Sequence, residues 1–327
     1  MHGLRWVAFG NRMARSPTSQ QATGRSFSFV LTHRRRSQGY REGLTPELSL
    51  TMLWIPPGRF WMGSPPEEPD RFDAEGPQRL VQLQGFFLGQ TPVTQAQWRA
   101  VAQWQPRDGE RWGQELQANP SRFQAKDAAD EQQREVFGEF RLLDGETSTD
   151  QRPVEQVSWH DAMEFCNRLS QRFGRRYTLP SEAQWEYACR AGTTAPFHFG
   201  DTITSKLANY DASVSYGDGP TGEYRQQTTA VVSFPANGWG LYDMHGNVWE
   251  WCTDHWHDTY EGASEDEQPW IDESAGKNHA RLLRGGAWVR SPKDLRSASR
   301  SNHHPDNRFI YVGFRVCCLP QDFPSHP

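Results

Sequence analysis

Gly240-Leu241-Tyr242-Asp243-Met244-His245-Gly246-Asn247-Val248-Trp249-Glu250-Trp251 is the most specific string in the chain. It lies in a half, from Phe197 to the C-terminus, where helix signals vanish and Gly, Asn, Asp, Pro and aromatics take over. Such a run makes little regular structure, so side-chain hydrogen bonds, tryptophan packing or bound cations must hold it. Fourteen tryptophans in 327 residues fit that picture.

Before this half, three helices are expected. Thr94 with Gln97 forms a capping box that puts Trp98 and Val101 on one face. Ser158 caps a helix whose Ala162, Phe165, Cys166 and Leu169 fall at i, i+3, i+4 and i+7. That spacing makes Cys166 a small core residue. Ser181 with Gln184 caps a third, carrying Trp185, Ala188 and Cys189, with Gly192 as its C-cap. Leu53–Gly63 reads as strand, Pro-Gly turn, strand, and Leu80–Leu88 alternates toward another strand. Between them runs an acidic loop, Glu67–Glu75. Residues 104–151 read as a polar surface excursion.

Residues 1–45 stand apart, with eight arginines against one acid, Glu42. A basic tail, a transit-like segment or a mis-called start all remain open, and disorder covers each. The globular domain is expected over 46–320, beginning near Leu48, with 321–327 as a tail. No repeat is visible, so a solenoid is excluded.

A net charge of −5 and a pI near 6.1 give no polyanion-binding footprint, so nucleic acid is not an expected partner. No run of 18 apolar residues offers a membrane span. The patch Trp6–Phe9 is too short for a secretory core. Five cysteines without a C-x-x-C spacing make neither a disulfide framework nor a zinc site. The cytoplasm is the default location.

Four ordered strings carry a family resemblance. They are Leu179-Pro180-Ser181-Glu182-Ala183-Gln184-Trp185-Glu186-Tyr187-Ala188, the Gly240–Trp251 string, Arg284-Gly285-Gly286 and Gly313-Phe314-Arg315. Gly58–Ser64 and Thr91–Thr94 join them. Together they resemble the formylglycine-generating-enzyme (sulfatase-modifying factor) family over about 50–318. The resemblance implies an α+β, C-type-lectin-like fold, poor in regular secondary structure. It also implies structural calcium at Asp243, Gly246 (backbone), Val248 (backbone) and Glu250. A second calcium set maps to Asn209, Tyr210 (backbone), Glu223 and Arg225 (backbone), although an arginine beside a cation is awkward. Glu250 reads equally well as a satisfied core carboxylate.

The family's oxidases work through a copper-assisted cysteine pair between the RGG and GFR strings. Here that segment holds no cysteine, and Cys317 and Cys318, being adjacent, would point opposite ways on a strand. No redox cofactor is therefore expected. The related iron-dependent sulfoxide synthases need an N-terminal helical domain that residues 1–45 cannot supply. His255-x-His257 and His303-His304 read as ordinary polar residues.

A third use of the family fits better, the variable proteins of diversity-generating retroelements, which bind ligands. Their template asparagine codons are rewritten at adenines. Such codons can give Val, Arg, Ser, Asp, His, Phe, Ile or Tyr, but never Lys, Glu, Gln, Met or Trp. The odd residues of the region 287–312 all belong to the reachable set: Val289, Arg290, Ser291, Asp294, Ser299, Ser301, His303, His304, Phe309, Ile310 and Tyr311. Constant-looking spacers such as Pro292, Lys293, Arg296 and Pro305 separate them. Trp288, Phe309 and Tyr311 would be rigid anchors, with Arg290 and the histidines as directional contacts. The histidines would modulate binding near pH 6–7. The expected function is a non-catalytic display scaffold for a protein or other macromolecular ligand. The alternatives are a formylglycine-generating-type oxidoreductase and a purely structural calcium domain.

Overall fold

The computed structural model describes residues 5–15, 29–125, 141–143, 147–276 and 278–320. Fourteen strands and three α-helices account for the regular structure of these residues apart from brief 3₁₀ turns. The strands are β1 (Arg5–Arg15), β2 (Phe29–Gly43), β3 (Ser49–Ile55), β4 (Gly58–Met62), β5 (Arg79–Leu83), β6 (Phe86–Gly89), β7 (Phe123–Ala125) and β8 (Arg141–Leu143). After them come β9 (Tyr177–Thr178), β10 (Trp249–His255), β11 (Arg281–Arg284), β12 (Arg300–His303), β13 (Val312–Gly313) and β14 (Cys317–Cys318). The helices are α1 (Gln95–Ala102), α2 (Trp159–Phe173) and α3 (Glu182–Arg190).

A six-stranded sheet runs β1-β2-β3-β6-β14-β9 and a four-stranded one β12-β11-β10-β13, while β4-β5 and β7-β8 form two-stranded pairs. The C-terminal loop springs from the four-stranded sheet, between β11 and β13. Two apolar cores lie against these sheets, and β14 divides them. Cys318 belongs to the core of Tyr40, Phe165 and Phe314, while Cys317 belongs to that of Leu88, Ala183 and Trp185. That is the opposed orientation expected of neighbours on a strand.

All three capping boxes form, at Thr94–Gln97, Ser158–Asp161 and Ser181–Gln184. Ala162, Phe165, Cys166 and Leu169 are fully buried. The third helix ends one residue earlier than expected. Ala191, at φ +47°, takes the left-handed cap position, and Gly192 at φ +88° follows it. No α-helix follows among the described residues, only a 3₁₀ turn at Pro292–Leu295.

The strand, turn and strand expected over 53–63 form as β3 and β4, which pair with different partners, β3 with β2 and β6, and β4 with β5. Two expectations change. The single strand expected over 80–88 breaks at Gln84-Gly85 into β5 and β6. The sheet also begins before residue 46, because Gly39–Gly43 pair with β3. Tyr40 and Glu42 are buried there, with Glu42 bonded to Arg175 and Tyr177. A polar, arginine-rich composition concealed that strand. Residues 1–4, 16–28 and 321–327 lie outside the described set.

Candidate functional site

Four arginines pin the loop between the two diagnostic glycine strings. Arg315 is fully buried and meets Glu250 through Nε at 2.6 Å and Nη2 at 2.7 Å, with Trp185 Nε1 donating to the same carboxylate at 2.8 Å. Arg284 is bonded to Glu186, and its Nη1 donates to the Ala298 carbonyl at 2.7 Å. Arg296 donates to Glu75 at 2.5 and 2.7 Å and to Glu68 at 2.6 Å, tying the loop to the acidic segment. Arg300 donates to Glu182 at 2.6 Å. Arg296, Arg300 and Arg315 each hold a carboxylate through a two-pronged, charge-assisted fork and Arg284 holds Glu186 through Nη2, so removing one partner would strand a buried charge.

Glycine geometry completes the frame. Gly285 takes φ +98°, and a side chain there would meet the Trp185 ring at 2.9 Å. The loop therefore leaves β11 in a direction only glycine allows.

On this frame four of the expected recognition residues form one cluster. Phe309 and Tyr311 stack at 5.1 Å with planes 10° apart. His303 meets Phe309 at 4.5 Å, and the Arg290 guanidinium lies over Tyr311 at 5.4 Å. All four are half-buried. Backbone bonds hold them from below: Asp211 donates to the Arg290 carbonyl at 3.0 Å, Gln156 to Phe309 at 3.0 Å and Trp249 to Tyr311 at 2.8 Å. Val289, Ile310 and Ser301 are also half-buried, and Val289, Phe309 and Tyr311 each rest one side on the first core. Ser291 donates to Asp294 at 3.1 Å inside the 3₁₀ turn, and His304 stands 3.6 Å from Asp306.

Two expected contacts belong beneath the face instead. Trp288 is 4% exposed, packs edge-on against Phe123 at 5.5 Å and donates to the Ile310 carbonyl at 3.1 Å. It supports the face as core rather than anchoring a ligand. Ser299 has no exposed surface, lying just before β12 where its carbonyl accepts from Arg284. Burial, and then the neighbouring Arg290, hold His303 below the usual histidine range. Its titration is therefore shifted to the acid side of an ordinary imidazole.

The expected calcium residues are brought together, with mixed chemistry. Asn247 Nδ2 reaches Asp243 at 3.4 Å, and its Oδ1 accepts from Asn209 at 3.2 Å, so the two sets touch. The charge of Glu250 is already balanced by Arg315. Asp243 is buried with no ion pair, and burial pushes it up to about 6. Asn209 Oδ1, Gln227 Oε1 and Thr229 Oγ1 are buried acceptors with no hydrogen bond. Gly246 (φ +99°) and Val248 offer backbone carbonyls in the same loop, as does Tyr210 next to Asn209. Glu223 is largely exposed and pairs with Arg225 at 3.1 Å, which spends both on each other. Oxygen donors left unsatisfied around Asn209 and Asp243 suit a hard cation.

All five cysteines are free and buried. Burial pushes Cys189 up to about 12 and raises Cys166, Cys252 and Cys317 as well, so none of these four presents a thiolate. His255 and His257 gain a neighbour in His279, at ring separations of 4.7 and 6.3 Å. No group of three metal-ligating side chains forms among the described residues. Sequence reasoning missed Gln156, which supports Phe309 from a left-handed φ of +64°. No signal short of the fold marks it.

The sulfatase-modifying factor enzyme 1-like domain family matches residues 44–318. The mouse formylglycine-generating enzyme is 31% identical over 312 residues, covering 88% of this chain and 79% of that protein. PvdO from Pseudomonas aeruginosa superposes with a TM-score of 0.65 at 30% identity, over 85% of this chain and 97% of that one. Treponema denticola variable protein 1 gives a TM-score of 0.64 at 24% identity, over 86% and 99%, a likeness of fold. The architecture is α+β of the C-type-lectin-like kind.

Proposed function

The chain belongs to the sulfatase-modifying factor enzyme 1-like family, and on that premise we propose that it uses the family's scaffold for recognition rather than thiol oxidation. The recognition surface is the loop 287–312, and its ligand is a protein or other macromolecule. The observation that carries this is the cluster of Arg290, His303, Phe309 and Tyr311. Residues drawn from separate parts of the loop meet on one half-buried face, while the buried arginine forks hold the fold without them. Aromatic rings beside one guanidinium are the composition of binding hot spots.

Diversification at adenines accounts for which residue types occur there. It demands that each varied position tolerate many side chains, which half-exposed positions can do and Ser299, fully buried, cannot. The varied set is therefore Val289, Arg290, Ser291, Asp294, Ser301, His303, His304, Phe309, Ile310 and Tyr311. The oxidase alternative has the mouse formylglycine-generating enzyme as a relative in its favour, but it is disfavoured because the loop carries no cysteine and Cys317 and Cys318 face different cores. Calcium would act structurally, held by oxygens around Asn209 and Asp243. No helix among the described residues is long and apolar enough to cross a membrane.

The direct test replaces Arg290, Phe309 and Tyr311 together with asparagine. Cooperative unfolding with a Tm within about ten degrees of the parent supports a tolerant display face. Loss of cooperative unfolding would make these residues core and end the reading.

A further inference from the structure

Beside the loop 287–312, and lined by none of its residues, lies a cavity of ≈ 300 Å³. Its apolar lining comes from Trp159, Met163, Leu179, Ile271 and Leu319, and Arg281 supplies charge. Arg281 differs from the other framework arginines. Arg284, Arg296, Arg300 and Arg315 each hold a carboxylate, whereas Arg281 has none within ion-pair distance among the described residues. Its Nη1 donates to the Thr253 carbonyl at 2.7 Å, and its Nε is buried with no hydrogen-bond partner. A half-buried guanidinium left in that state is costly unless something answers it.

The group is also preorganised. Arg281 lies 4.0 Å over the Trp159 ring. That ring is itself fixed by Nε1 donating to the Cys252 carbonyl at 2.9 Å. With the guanidinium held over this ring and Nη1 engaged by Thr253, Nε and Nη2 are the edge left to meet an oxyanion. Arg176 adds a second positive charge to the lining and Glu267 one negative, so the balance there is positive.

We propose that this cavity binds an apolar carboxylate, the acid pairing with Arg281 and the apolar body lying against Met163, Leu179, Ile271 and Leu319. The volume is at the lower end for a small-molecule site, enough for one amino-acid-sized ligand. Arg281 on β11 pairs in register with His303 on β12, and Trp159 donates its backbone N–H to the Pro305 carbonyl at 2.9 Å. The cavity thus borders the varied loop, yet no varied residue lines it. It offers a fixed subsite beside a changeable one. The proposal does not rest on the variable-face reading.

The test is an NMR titration of the full chain with N-acetyl-leucine and with N-acetyl-leucinamide. Saturable shifts for the acid, at least tenfold weaker binding of the amide, and loss of acid binding in Arg281→Gln are expected. Ile271→Glu, a change at an exposed rim residue, should weaken the acid by a similar factor and decides the matter if Arg281→Gln does not fold. Phe309→Ala/Tyr311→Ala should bind the acid as the parent does. A peptide ending in leucine that binds more tightly than the acid identifies polypeptide C-termini as the source, and equal binding identifies free acids. No saturable binding of the acid, equal binding of acid and amide, or variants at Arg281 and Ile271 that bind like the parent would overturn the assignment.

Discussion

Glu155 sits with no exposed surface, its Oε1 accepting from the Phe123 N–H at 3.1 Å and its Oε2 without a hydrogen-bond partner. Burial pushes its carboxyl up to about 8. The folded protein keeps that proton where the unfolded chain, titrating near about 4.3, gives it up. Stability is therefore lost as pH rises from the unfolded value to the folded one, by at most about 1.4 kcal/mol per pH unit. Glu155→Gln removes the titration while keeping the acceptor. Its Tm should gain on the parent from pH 5 to pH 8, and a constant difference across that range would contradict the assignment. Nearby, Trp288 and Tyr311 separate core from face. Trp288→Ala should cost about 3–5 kcal/mol in denaturant unfolding. Phe309→Ala/Tyr311→Ala should abolish ligand binding while lowering Tm by only about a few degrees. Sequence alone could place all three in one loop. It could not sort them, because the difference is whether Phe123, far away in the chain, covers the ring.

At the scale of elements, the helices were legible because each carries a local signal. Ser181 accepts from the Gln184 N–H at 3.2 Å, and Gln184 answers by accepting from the Ser181 N–H at 2.9 Å. The helix it opens delivers Glu182 and Glu186 to Arg300 and Arg284. Ser181→Ala should cost about 1 kcal/mol, read as a shift in the denaturant midpoint at constant m-value. An unchanged midpoint would mean that tertiary ion pairs alone hold the helix. Strands were less legible. β13 and β14 are two residues each, and their pairing is set by partners far away in sequence. The 104–151 region, read as a surface excursion, contributes Leu116, Phe123 and Ala125 to the interior. Their burial follows from loop packing, which no local period records.

For the whole molecule, the ordered strings were enough for family and fold, since glycines with arginines at fixed places encode buried forks rather than helices or sheets. Unsatisfied oxygens around Asn209 are the ground for the proposed structural calcium in the irregular half. Chelation should lower Tm by several degrees, with calcium restoring it through mass action on the folded state. An unchanged Tm would assign those oxygens to water. The recognition reading joins all three scales, with a varied residue set on a short-strand frame held by buried charge. Its most direct test is the DNA downstream of the gene. A second copy of the Ala287–Val312 coding stretch is expected, differing only at adenines, with AAC or AAT at the codons for Arg290, His303, Phe309 and Tyr311. The absence of any such copy, or mismatches spread over all four bases, would contradict diversification and leave the face a fixed loop.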